Sequence, residues 1–143
     1  MIVYTGGTFD VPHAGHVNFL RLCKEYFPNC YLIVSLNTDE FIERFKGTRP
    51  LFSYDERKNL IERVEYVDEV VPNIGEEDSK ITILNLNKKP DIVIIGSDWL
   101  NKNYLKQMNF TEEWLRENKI ALMYIPYTDI ISTTIIKERV RNG

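Results

Sequence analysis

The stretch Ile2-Val3-Tyr4-Thr5-Gly6-Gly7-Thr8-Phe9-Asp10, followed directly by Val11-Pro12-His13-Ala14-Gly15-His16, decides how the rest of the chain reads. Ile2 to Thr5 has the β-branched and aromatic character of a short strand, and Gly6-Gly7 permits a tight turn at its end. Pro12 to Tyr26 then reads as a helix, with Pro12 tolerated in its first turn because the missing N–H costs little there. Strand, glycine turn and helix in that order present backbone N–H groups and a positive dipole end to an anion. His13 and His16 are the only two histidines in the sequence, and at helical spacing they share one face. Imidazole changes charge most readily near neutral pH, so this pair suits phosphate oxygens.

Working outward, strand-like and helix-like patterns alternate along the chain without a low-complexity linker or a clear repeat. In the first helix, Val17, Leu20 and Cys23, with Phe19 and Leu22 beside them, make an apolar stripe. Cys30 to Leu36 is a near-continuous apolar run, as expected of a strand covered on both faces. Thr38 caps a short helix through Asp39 and Glu40. Ser53 and Glu56 form a capping box for a helix carrying Leu60, Ile61 and Val64 inward. Asp68 to Val71, Asp91 to Ile95 and Ile120 to Ile125 read as further strands. The stretches near 76–88, 104–118 and 132–140 read as helices. This alternation predicts an α/β, Rossmann-like open parallel sheet of about five strands with helices on both faces. One domain over residues 1–143 is the natural size for such a unit.

Composition limits the partners. The net charge is −3 with 27% charged residues, against a general nucleic-acid or membrane-surface binder, which would carry a basic stripe. Any polyanion site must be a local concentration of donors. Cys23 and Cys30 are expected as buried free thiols, not a disulfide framework. No apolar run approaches the roughly 20 residues of a membrane span. The strand begins at the N-terminus with no room for a signal peptide, and the expectation is a cytoplasmic chain.

Parallel α/β sheets bind ligands beyond the carboxyl ends of their strands, where the winding reverses. Three segments fall at such ends: Thr8 to His16, Gly96-Ser97-Asp98-Trp99, and Ile131-Ser132-Thr133-Thr134. The last opens a helix whose hydroxyls and N–H groups form a second anion-binding start, and two such starts suit a chain of phosphates.

These motifs, Gly7-Thr8-Phe9-Asp10, His13-Ala14-Gly15-His16 and Ile131-Ser132-Thr133-Thr134, resemble the HxGH nucleotidylyltransferase superfamily. Within it, Asn37-Thr38-Asp39-Glu40-Phe41, Ser53-Tyr54 with Arg57-Lys58, Tyr66-Val67-Asp68-Glu69-Val70 and Gly96-Ser97-Asp98-Trp99 are similar to the cytidylyltransferases, notably those acting on glycerol 3-phosphate. The resemblance implies that an acceptor phosphate attacks the α-phosphorus of CTP and pyrophosphate leaves, with Mg²⁺ carried on the nucleotide phosphates. It implies catalytic roles for His13, His16, Thr8 and Lys46. Gly6, Gly7, Phe9, Gly15, Asp98, Tyr127, Ile131, Ser132 and Thr133 would bind the nucleotide, while Asp10, Arg57 and Trp99 would face the acceptor. It also implies a homodimer.

Where such relatives commonly carry Arg-Thr-x-Gly before the last motif, this chain has Tyr127-Thr128-Asp129-Ile130. A second reading therefore stands beside the first, with another nucleotide such as ATP and a sugar phosphate as acceptor. A nucleotide-binding module without turnover is a third.

Overall fold

Five strands lie side by side in the order β3-β2-β1-β4-β5, every neighbouring pair parallel. They are β1 (Ile2–Gly7), β2 (Tyr31–Leu36), β3 (Glu69–Pro72), β4 (Ile92–Ser97) and β5 (Ala121–Pro126). The helices are α1 (Ala14–Tyr26), α2 (Asp39–Lys46), α3 (Tyr54–Glu62), α4 (Ser79–Leu84) and α5 (Glu112–Glu117). The computed structural model describes residues 1–97 and 109–126. The expected open parallel sheet is thus the fold that forms.

Alternate residues along each strand serve opposite layers, which explains why the inner strands are largely apolar. Val3, Leu32, Val34, Leu36, Ile92 and Ile94 pack with Phe19, Leu20 and Cys23 of α1 and Ile61 of α3. Tyr4, Ile33, Val93 and Ile95 pack on the other face with Ile83 of α4, Leu115 of α5, Phe110 and Ile120. Cys23 and Cys30 are buried and free, as expected. The chain builds outward through β1, β2 and β3, then crosses back to set β4 on the other side of β1. The winding reverses there, so the carboxyl ends of β1 and β4 flank the position where ligands bind in this architecture.

Several boundaries differ from the sequence reading, each for a local reason. Helix α1 begins at Ala14, not Pro12, because His13 takes the cap position with extended backbone, φ −144° and ψ −179°. Its buried stripe is accordingly Gly15, His16, Phe19, Leu20 and Cys23, and Val17 is left exposed. In α3, Ile61 is buried while Leu60 faces solvent. Helix α4 is shorter than expected because Asp78 caps it at one end and Asn85 closes it at the other. Helix α5 starts behind the Thr111 cap, whose hydroxyl accepts from the Trp114 N–H. The capping box at Ser53 and Glu56 is present in both halves.

Candidate active site

The loop from β1 to α1 is held by close approach and backbone strain. Gly7 C=O accepts the Asn37 N–H at 3.0 Å, tying the ends of β1 and β2 together. A Cβ at Gly7 would stand 2.9 Å from Cε2 of Phe9, whose buried ring meets His16 edge-on at 4.9 Å between centroids. A side chain at position 7 would therefore disturb His16 through Phe9. At Gly6 an added Cβ meets nothing closer than 3.6 Å, so only the second glycine is sterically required.

Phe9 (φ 49°) and Val11 (φ 56°) are both left-handed, which for a β-branched residue costs about 1–2 kcal/mol and persists only where the surroundings impose it. Asp10 between them supplies that constraint. Its carboxylate oxygens accept the Leu51 and Phe52 N–H groups, each at 3.1 Å, and the residue is buried. Where the sequence reading expects Asp10 to face an acceptor or a metal-bound water, each of its carboxylate oxygens also fastens the loop at 51–52.

The two imidazoles are built by the helix start. His13 Nδ1 accepts the Gly15 N–H at 3.0 Å, and His16 Nδ1 accepts the His13 N–H at 3.2 Å, a capping box made of histidines. The rings stack 3.8 Å apart at 22°. A nitrogen that accepts an N–H keeps its lone pair there, so each neutral ring carries its proton on Nε2. Burial, reinforced by the neighbouring His13, pushes His16 down to about 3, and burial lowers His13 as well. Both rings are therefore neutral Nε2–H donors at pH 7. No acidic residue sits in the first turn of α1, so nothing there offsets the positive dipole end.

The shift of His16 has a consequence for stability. Between about pH 3 and the unfolded value near 6.5, the folded chain holds fewer protons at this residue than the unfolded chain. Stability from this group is present above pH 6.5 and is lost as pH falls toward 3. Urea unfolding from pH 7 to pH 4 is expected to show a loss on the order of a few kcal/mol that a His16→Gln variant lacks.

Arg57 departs from its expected role. It is fully buried, and its Nε donates to Phe52 O at 3.0 Å, Nη1 to Thr8 O and Asn37 O at 2.8 Å each, and Nη2 to Asp39 Oδ1 at 2.8 Å. Four of its five N–H groups are thereby committed to protein acceptors, which makes it an internal tie and not an acceptor-facing cation. Lys46 is the exposed last residue of α2, where Gly47 at φ 80° ends the helix, and not in the following loop. It stands about 12 Å along α2 from the Thr38 cap, and no contact among the described residues joins it to the histidines.

The structure thus brings together His13, His16, Thr8, Phe9, Gly7 and Gly15. Asp98, Trp99, Tyr127, Ile131, Ser132 and Thr133 lie outside the described residues. Among the described residues, no three of His, Cys, Asp and Glu gather as metal ligands, and no helix is long and apolar enough to cross a membrane.

Two residues went unrecognised as site components in the sequence, Asn37 and Asn73. Asn37 Nδ2 donates to Thr8 Oγ1 at 3.0 Å, and Asn73 Nδ2 donates to Asn37 Oδ1 at 2.8 Å. Their signal was available: each is a polar amide directly after the last residue of a strand, at the carboxyl edge of the sheet.

Known proteins resemble this chain in sequence and in fold. A family model described as cytidylyltransferase-like matches residues 4–139. The chain is 37% identical over 139 residues to glycerol-3-phosphate cytidylyltransferase of Bacillus subtilis (strain 168), covering 96% of this chain and 95% of that protein. It is 34% identical to glycerol-3-phosphate cytidylyltransferase of Staphylococcus aureus (strain NCTC 8325 / PS 47), covering 95% and 92%. The fold is similar to the crystal structure of a lipopolysaccharide core biosynthesis protein from Thermoplasma volcanium GSS1. That match has a TM-score of 0.71 at 24% identity, over 90% of this chain and 98% of that one.

Proposed function

We propose that this chain, which belongs to the cytidylyltransferase-like family, is a single-domain nucleotidyltransferase that moves CMP from CTP onto glycerol 3-phosphate and releases pyrophosphate. The observation that carries the reading is the histidine cap, two stacked neutral rings whose protons sit on Nε2 at a helix N-terminus that follows the loop bearing Thr8. An oxygen of the acceptor phosphate attacks the α-phosphorus, the bond to the bridging oxygen breaks, and the electron pair leaves with pyrophosphate. Such a reaction asks for positioning and for donors aimed at oxygens that gain charge, more than for covalent help. His13 and His16 supply Nε2–H groups, and Thr8 adds an O–H. These donors need no rearrangement when charge develops, which makes them effective.

Mg²⁺ is proposed to arrive on the triphosphate and neutralise part of its charge. Gly6 and Gly7 at the end of β1, Phe9 in the loop and Gly15 in the first turn of α1 are assigned to the nucleotide side by their place around the β1–α1 connection. Lys46, Asp98, Trp99, Tyr127, Ile131, Ser132 and Thr133 are assigned by family likeness alone. The same likeness supports a homodimer, which sedimentation would test, and a cytoplasmic enzyme.

The reading is tested by pyrophosphate release. CTP with glycerol 3-phosphate is expected to exceed ATP, GTP and UTP, and any sugar phosphate, by at least about tenfold in kcat/KM. Tyr127, where related enzymes commonly carry arginine, favours one alternative. Turnover of ATP with a sugar phosphate but not of CTP with any phosphorylated polyol would establish that alternative and overturn the first reading.

A further inference from the structure

Beneath the loop, a chain of side-chain hydrogen bonds runs from the turn after β3 to Thr8, and every link in it has a determined direction. At its far end stand two backbone groups that each act one way only. The Gly75 N–H donates to Thr82 Oγ1 at 2.9 Å, and the Glu76 C=O accepts Asn73 Nδ2 at 2.9 Å. The Glu76 carbonyl can only accept, which sets the Asn73 nitrogen there and its oxygen toward Thr82, so the Thr82 hydroxyl gives its proton to Asn73 Oδ1 at 2.6 Å. The Asn73 amide is thereby oriented, oxygen toward Thr82 and nitrogen toward both Glu76 and Asn37. It follows that Asn37 receives at Oδ1, 2.8 Å, and gives from Nδ2 to Thr8 Oγ1, 3.0 Å. The Thr8 oxygen accepts, so its proton is turned away from Asn37, and no described residue accepts it.

Asn73 and Thr82 are buried, where reversing such a chain would leave polar groups facing like groups. The anchoring turn is itself fixed. A Cβ at Gly75 would lie 2.2 Å from the Asp78 carbonyl oxygen, and Arg44 of α2 pairs with Glu76 and with Glu77.

We propose that Asn37 and Asn73 are positioning residues, a one-way relay anchored at the turn Gly75-Glu76 that makes the Thr8 hydroxyl an obligatory donor to the nucleotide phosphate. This inference rests on the transferase reading for its assay. Asn37→Asp is nearly isosteric yet can only accept, so it draws the Thr8 proton onto itself and away from the ligand. It also adds a charge, which a double-mutant cycle with Thr8→Val separates, because the charge stays when the hydroxyl is gone.

With CTP and glycerol 3-phosphate, Asn37→Asp is expected to lower kcat by about tenfold or more in the parent protein. The same change should have an effect within about twofold in Thr8→Val, and the full effect again in Thr8→Ser. KM for the nucleotide moves less than kcat. An equal loss in the parent and in the Thr8→Val background overturns the relay. Should Asn37→Asp fail to fold, judged by thermal melting, Asn73→Asp goes through the same cycle with the same two outcomes. A parent protein that turns over a different nucleotide or acceptor refutes the assignment of CTP and glycerol 3-phosphate above but not the transferase reading, and the cycle is then read with that substrate.

Discussion

Replacing His16 with alanine is expected to lower kcat by about 10²–10³-fold while weakening ground-state nucleotide binding far less. The size follows from what the side chain does. His16 Nδ1 closes the helix cap by accepting the His13 N–H, which commits its Nε2 to carry the proton. The ring is held between the stacked His13 and the edge of Phe9, so its donor is already placed when the α-phosphorus begins to react. Charge gathers on the phosphate oxygens only near the transition state, and a neutral fixed donor interacts most strongly there. Pre-steady-state turnover together with equilibrium titration of CTP separates the two effects. A variant losing affinity and rate by the same factor would contradict this assignment.

Arg57→Ala carries the second large effect, and it falls on the fold. The guanidinium is fully buried and joins four elements of the site floor: the β1 loop at Thr8, the end of β2 at Asn37, the cap region of α2 at Asp39, and Phe52 before α3. Removing it strands a carboxylate and three carbonyl oxygens in a poorly solvated place. Loss of one partner from such a buried pair costs about 3–5 kcal/mol, a large part of the 5–15 kcal/mol that keeps a domain folded. A melting temperature lower by about 10 °C is expected. Lysine does not restore it, because one ammonium with three donors cannot reach acceptors spread around a planar fork. Full recovery of stability in Arg57→Lys would show that charge alone matters.

The contrast between these residues explains what was legible in the sequence. The apolar run from Cys30 to Leu36 and the Ser53–Glu56 box are local patterns with one physical meaning, and both formed. The histidine pair was visible as a site. Its geometry was not, because a histidine that caps a helix has the same sequence signature as one inside it, and only the extended backbone of His13 distinguishes the two. Arg57 was misread since its partners lie 18 to 49 residues away along the chain, apart from Phe52. A lone arginine on a helix carries no mark of burial. Asn37 and Asn73 follow the same logic: the 36-residue separation between them is closed only when β2 and β3 pair.

The account depends on two neutral imidazoles that offer Nε2–H to a bound triphosphate, and because the chain holds only two histidines their nuclear magnetic resonance signals can be assigned directly. Long-range ¹H–¹⁵N spectra at pH 7 are expected to show both rings as the Nε2–H tautomer. CTP added without acceptor should shift both Nε2–H resonances downfield. Protons found on Nδ1, or Nε2 signals unmoved at saturating CTP, would contradict it.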